Sequence, residues 1–251
     1  MQLKLKNIIC VVAFLWISVF AYAQTAKAEY VGRADMAKVF KQINSWFLNT
    51  PTYTLMVTHT SFEDYKTIVP ADKSVGYFKK DRNNYHSFLL GIHTIQNKKY
   101  KVVVDSSQKI IIIANPDQLI WNNYTLNEYD TILKMCSTIK VIEKNSDKLY
   151  RIEFDQENPL SGYEFFVSTE GILKEMVWYS NQEIKKKPAD ASSETSKPRV
   201  HTVFSNYNTA PQLKYQSEFD ETVYFINRNN KPIVTDRYKS YRLLDQRFNK
   251  N

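Results

Sequence analysis

Four histidines, two cysteines and two pairs of adjacent carboxylates are the side chains of this chain best suited to chemistry. His59, His86, His93 and His201 fall into no H-x-x-x-H or H-E-x-x-H pattern, and no C-x-x-C accompanies them. A metal site would need ligands gathered by the fold alone, so no residue is put forward as a metal ligand. Cys136 falls on an apolar stripe, where burial raises a thiol pKa and leaves the sulfur inert. Glu63 with Asp64, and Asp220 with Glu221, are the residue types that glycosidases use as acid and base. Neighbours on a strand point to opposite faces, however, and adjacent acids on loops are ordinarily solvated. There is no G-x-S-x-G and no G-x-x-x-x-G-K, and only five glycines are available for a nucleotide cradle. The sequence therefore nominates no catalytic residue and no cofactor. It reads as a non-enzyme, with a hydrolase site assembled only by the fold as the remaining alternative.

The element that must position everything else is the stretch Val75 to Pro116. Short apolar runs follow one another there, separated by Asn83-Asn84, Asn97-Lys98 and Asp105-Ser106-Ser107-Gln108. Asn, Asp and Ser tolerate left-handed backbone angles or bond their own main chain, so the pattern is an antiparallel meander. Val102 to Val104 and Ile110 to Ile113 are apolar at consecutive positions. Because strand side chains alternate, both faces of these two strands must be covered. One face calls for a helix, and the other for a second sheet layer, an apolar ligand or a partner protein. Ile110 and Ile112 point one way, Ile111 and Ile113 the other.

Before the meander, Met36, Val39, Phe40, Ile43 and Phe47 recur at helical spacing, with Asp35 placed to cap the amino end. Asn49-Thr50-Pro51 ends this helix, since the residue before proline is pushed out of the helical region. Thr52 to Thr60 reads as a strand. After the meander comes a loop with Trp121 and Tyr124. Thr125 and Glu128 then form a capping box ahead of a helix of about three turns, with the stripe Leu126, Tyr129, Ile132, Leu133 and Cys136. Hairpins follow: Ile139 to Glu143 with Leu149 to Phe154, and Tyr163 to Val167 with Ile172 to Tyr179. Residues 185–199 are rich in Lys, Pro, Ser and Ala and read as a disordered insertion before the strand Val200 to Tyr207. Strands at Thr222 to Ile226, Pro232 to Thr235 and Tyr238 to Leu244 complete about eleven or twelve. So many must curl or close. The fold class is α+β, an antiparallel curled sheet or incomplete β-barrel with two principal helices packed on or in it.

At the amino end, Lys4 and Lys6 precede an apolar run from Ile8 to Phe20 and then Ala21-Tyr22-Ala23. This is the order of a secretory signal, and the run is shorter than the roughly 20 residues of a spanning helix. We expect cleavage after Ala23, a soluble periplasmic product, and one domain over residues 24–251. Loss of Lys4 and Lys6 leaves 32 basic residues against 26 acidic, a mild +6. Cys136 is then the only cysteine, so the core rather than a disulfide holds the chain together. Basic clusters at turns suit solubility and contact with an anionic membrane surface. Nothing matches a nucleic-acid module.

The order of signal, amphipathic helix, antiparallel strands, helix with aromatic loop and further strands resembles the LolA/LolB-like lipoprotein carriers. The chain is also similar to uncharacterised exported proteins of Bacteroidetes-like bacteria. The carrier resemblance implies an incomplete barrel around apolar space and a role in shielding the acyl chain of a lipid or lipoprotein. Aromatic and aliphatic residues on the expected elements supply candidates for that cavity: Phe40, Phe47, Tyr53, Phe88, Ile111, Ile113, Leu133, Tyr163 and Trp178. The alternative is a structural or adaptor component of an envelope assembly, with protein partners instead of lipid.

Overall fold

A computed structural model of the chain describes residues 28–116, 129–144, 146–185, 195–214, 218–229 and 231–247. The expected signal, Trp121, Tyr124 and the capping box at Thr125 and Glu128 lie outside the described residues. The chain opens with β1 (Glu29–Tyr30), α1 (Arg33–Asn49) and β2 (Thr52–Phe62). The meander follows as β3 (Asp72–Asp81), β4 (Asn84–Leu89), β5 (Ile92–Gln96), β6 (Lys101–Asp105) and β7 (Ile110–Ala114). Next come α2 (Tyr129–Met135), β8 (Cys136–Lys144), β9 (Asp147–Phe154), β10 (Leu160–Val167) and β11 (Leu173–Ser180). The remaining strands are β12 (Ile184–Lys185), β13 (Thr195–Ser196), β14 (Arg199–Asn208), β15 (Phe225–Arg228), β16 (Lys231–Val234) and β17 (Arg242–Asp245).

Thirteen strands form one sheet in the order β1-β8-β9-β10-β11-β14-β2-β3-β4-β5-β6-β7-β17. It has two free edges, so it curls without closing, and the α+β reading holds. All pairings are antiparallel except β17 on β7, which is parallel. The sheet wraps α1. Met36, Phe40, Ile43 and Phe47 are buried on the helix and pack with Tyr53, Leu55, Phe78, Ile139, Tyr150, Ile152, Phe165 and Phe204 from the strands. These helical positions are spaced four, three and four apart, which puts them on one face.

Helix ends differ from expectation. The cap of α1 is Gly32, with no side-chain hydrogen bond, and Asp35 lies in the first turn paired with Lys38 at 2.8 Å. The helix starts early because the Val31 amide still donates to Ile139 of β8, so the chain turns into the helix directly after leaving the sheet. Among the described residues α2 is shorter than expected. Cys136 opens β8 opposite Phe154 instead of closing the helix, and its Sγ–H donates to the Leu133 carbonyl at 3.2 Å.

Both ends of the insertion at 185–199 take part in strands. Ile184 pairs with Ser196, Lys185 pairs with Thr195, and Arg199 begins β14. Residues 186–194 lie outside the described residues. Because β11 and β14 are neighbours in the sheet, a hairpin is all that must connect them. The strand count exceeds the expected one mainly through two-residue strands such as β1, β12 and β13, which leave no alternation to read.

Candidate functional site

Directly opposed residues in an antiparallel ladder share a face, so each face can be followed across the sheet. On the face that α1 covers, one row runs Leu55, Phe78, Ser87, Thr94, Val103, Ile112 and Leu244. A second runs Leu89, Ile92, Asp105, Ile110 and Arg242. Both begin in the core around α1 and end beyond it. Leu55 is 1% exposed, whereas Ile92 is 40% exposed. Val103, Ile110, Ile112 and Leu244 are half-buried and belong to neither core of the described residues.

The opposite, convex face of the same strands is buried at its centre and half-buried at its margins. Its rows are Tyr77, Phe88, His93, Val104, Ile111, Leu243 and Lys79, His86, Ile95, Val102, Ile113, Asp245. Ile95, Val102, Val104, Ile111 and Ile113 form a second core with Tyr224 and Phe225 of the carboxy-terminal segment. The two-sided apolar strands are therefore covered on one side by that segment. The helix that one face seemed to require does not cover Ile111 and Ile113.

The structure divides the expected cavity residues. Phe40, Phe47, Tyr53 and Leu133 are buried in the first core, and Tyr163 packs against it. Trp178, opposite Tyr163 in the ladder, is half-buried on the same face. Phe88, Ile111 and Ile113 lie on the convex face, the last two fully buried. These nine do not share one space. The half-exposed concave row was missed because Ile110 and Ile112 are indistinguishable by type from Ile111 and Ile113.

Lys80 also escaped notice. It is 4% exposed, and its ammonium donates to the carbonyls of Phe47, Leu48 and Thr50 at 2.8–2.9 Å. These are terminal carbonyls of α1 that lack helical partners. Burial holds its pKa below the ordinary 10.5, yet the three acceptors satisfy every N–H. The lysine thus pins the end of the helix to β3.

The chemically suggestive side chains are in structural use. The Nδ1 of His59 lies 3.1 Å from the Thr202 hydroxyl, and His201 lies 3.0 Å from Glu175. Asp64 accepts from the Lys66 amide, Asp220 caps a turn through the Thr222 amide, and Glu221 accepts from Asn97. Among the described residues no three His, Cys, Asp or Glu side chains are grouped to hold a metal ion. A polar recess of about 240 Å³ on the sheet's outer face is lined by Arg151, Glu153, Ser161, Gly162, Glu164 and Tyr179, among others. Its charges are already paired, Arg151 with Glu164, which also accepts from Tyr179 at 3.1 Å. Burial and Glu164 push the Tyr179 pKa up to about 12, so that phenol stays protonated and is no base. No described helix is long and apolar enough to cross a membrane.

No protein-family model and no curated protein matches the chain. Among solved structures it is similar to a LolA superfamily protein from Nitrosomonas europaea, at 8% identity and a TM-score of 0.30, covering 74% of this chain and 97% of that one. It is also similar to a DUF1329 family protein from Desulfovibrio piger, at 8% identity and a TM-score of 0.32, with the same coverage of both chains. A third is the Mycobacterium tuberculosis lipoprotein LppX, at 7% identity and a TM-score of 0.29, covering 71% of this chain and 99% of that one. The architecture described above rests on its own hydrogen-bonded ladder, not on these distant likenesses.

Proposed function

We propose that this is an exported, non-enzymatic binding protein that holds the acyl chain of a lipid or lipoprotein against its concave face. The observation that carries this reading is the row that leaves the α1 core as Leu55 and Phe78, passes the buried Ser87 and Thr94, and continues as half-buried Val103, Ile112 and Leu244. Apolar side chains in line with a packed core but outside it offer a linear surface from which a hydrocarbon chain would displace water. Burial at about 25 cal/mol per Å² favours such a contact. Ile92 and Ile110 flank the row, while Trp178 and Tyr163 contribute half-buried aromatic surface to the same face elsewhere. The signal-like order of residues 1–23 supports a periplasmic location in this reading.

Native mass spectrometry of protein purified from its own envelope fraction tests the reading. A co-purifying acyl-chain mass, displaced by a fluorescent fatty-acid probe, is the expected result. Protein that carries no acyl mass and fails to bind the probe would defeat it. A co-purifying protein in place of lipid would favour an envelope adaptor.

A further inference from the structure

The carboxy-terminal segment starts at Glu218 over two histidines, crosses the convex face through Tyr224 and Phe225, and ends in β17 at the sheet edge. Its apolar hold is the second core, with Phe219, Tyr224 and Phe225 all buried. Its polar pins are Asn97, whose side-chain amide donates to Phe219 and Glu221, and the Lys79–Glu218 ion pair at 2.7 Å. Asn227 donates to the Tyr100 hydroxyl at 2.7 Å, and β17 closes the far end on β7.

Beneath Glu218 the rings of His86 and His93 lie 5.9 Å apart. His86 is 8% exposed, and its Nε2 is 3.0 Å from the Tyr77 hydroxyl. Its Nδ1 has no hydrogen-bond partner and stands 3.6 Å from Glu218, beyond hydrogen-bonding range. The Nδ1 of His93 is likewise buried and unpartnered, and its ring packs on Phe88 at 4.5 Å. Among the described residues the charged groups facing the pair are few. From β3 come Lys79 and the neutral Tyr77. From the carboxy-terminal segment come Glu218, already engaged by Lys79, and Arg237, whose charge opposes protonation of His93. Two added protons would meet two cations and one occupied carboxylate.

We propose that the segment from Glu218 to Arg247 is a strap that acid releases, protonation of His86 and His93 loosening it from the convex face. Burial, reinforced by His93 and Lys79 and opposed by Glu218, holds the His86 pKa down to about 4 from 6.5, and burial with Arg237 lowers that of His93. For a base, a depressed attached-state pKa means that the detached strap binds protons more readily. Attachment is therefore complete above about pH 6.5 and is lost as pH falls toward 4. The Asp245–Arg247 pair does not titrate in this range, because its hydrogen bonds to Arg247 hold the Asp245 pKa below 3.8. The proposal stands on the geometry of the convex face and is independent of what the concave face binds.

Hydrogen exchange of the full chain, corrected for the intrinsic pH dependence of amide exchange, tests it. Between pH 7.5 and 5, peptides from 218–247 should lose at least tenfold protection while β2, β9 and β10 keep theirs. Unchanged protection, or loss in step with those strands, would overturn the proposal. The double variant H86F/H93F should hold its strap at pH 5, and loss like that of the parent would count against it. Should that variant fail to fold, Glu218→Gln removes the one facing carboxylate and should move release to higher pH. A midpoint that stays put or falls would refute the mechanism.

Discussion

The two cores of this protein lie on opposite faces of one sheet and are closed by different means. The first is built around α1, which eight strands and α2 surround. Phe40 at its centre meets Phe165 edge-on at 5.3 Å and Tyr129 at 5.7 Å. Among the described residues the second has no α-helix. Aliphatic residues of β5, β6 and β7 are covered by Tyr224, Phe225 and Leu243, which arrive from far along the chain. Where one sheet switches its packed face along its length, the strands at the far end need apolar residues on both sides. Among the described residues, one side is then left with apolar surface and no element packed on it.

The largest effect is expected at the centre of the first core. Phe40→Ala should cost about 3–5 kcal/mol in chemical denaturation and unfold everything that packs on α1, because the strands of the first core converge on that helix. In the second core, Ile111→Ala or Ile113→Ala should cost about 2–5 kcal/mol. Loss of exchange protection there should be confined to β5–β7 and 218–247. An equal loss in β9 and β10 would mean that the two cores are one cooperative unit. Lys80→Met should cost about 1–3 kcal/mol by leaving three terminal carbonyls of α1 without their donor. Its mark should be faster exchange in the last turn of the helix. The smallest stability effect, under about 1 kcal/mol, is expected for Ile112→Ser, because that side chain is only half-buried. The same change should weaken binding of a fatty-acid probe several-fold, whereas Ile113→Val should leave probe binding unaltered.

Much of the ladder was legible because alternation and turn chemistry are local. The hairpins joining β8 to β9 and β10 to β11, and the meander itself, stand where Asn, Asp, Ser and Gly separate apolar runs. At the β10–β11 turn, Gly171 has φ +82°, and a Cβ there would come within 2.6–2.9 Å of Gln42 on α1, so this glycine both turns the chain and lets it touch the helix. What covers each face was not legible. Nothing local distinguishes Ile110 and Ile112 from Ile111 and Ile113, since the difference is created by a segment that pairs with them from over 100 residues away. Lys80 looked like one of many surface lysines, because its partners are carbonyls, which carry no sequence signature.

The parallel seating of β17 on β7 also sets an order of events for a chain that emerges amino end first. Asn115 waits for Arg247, its hydrogen-bond partner 132 positions later. Everything around α1 is available once β14 has emerged, so that half can condense while the remainder is still being threaded. Until then β7 presents an unpaired run of four isoleucines, the kind of edge that recruits a second chain. Export that delivers the chain unfolded would prolong this interval, and a carboxy-terminal truncation would make it permanent. Such a truncation should give a protein that acquires the first core and then aggregates through β7.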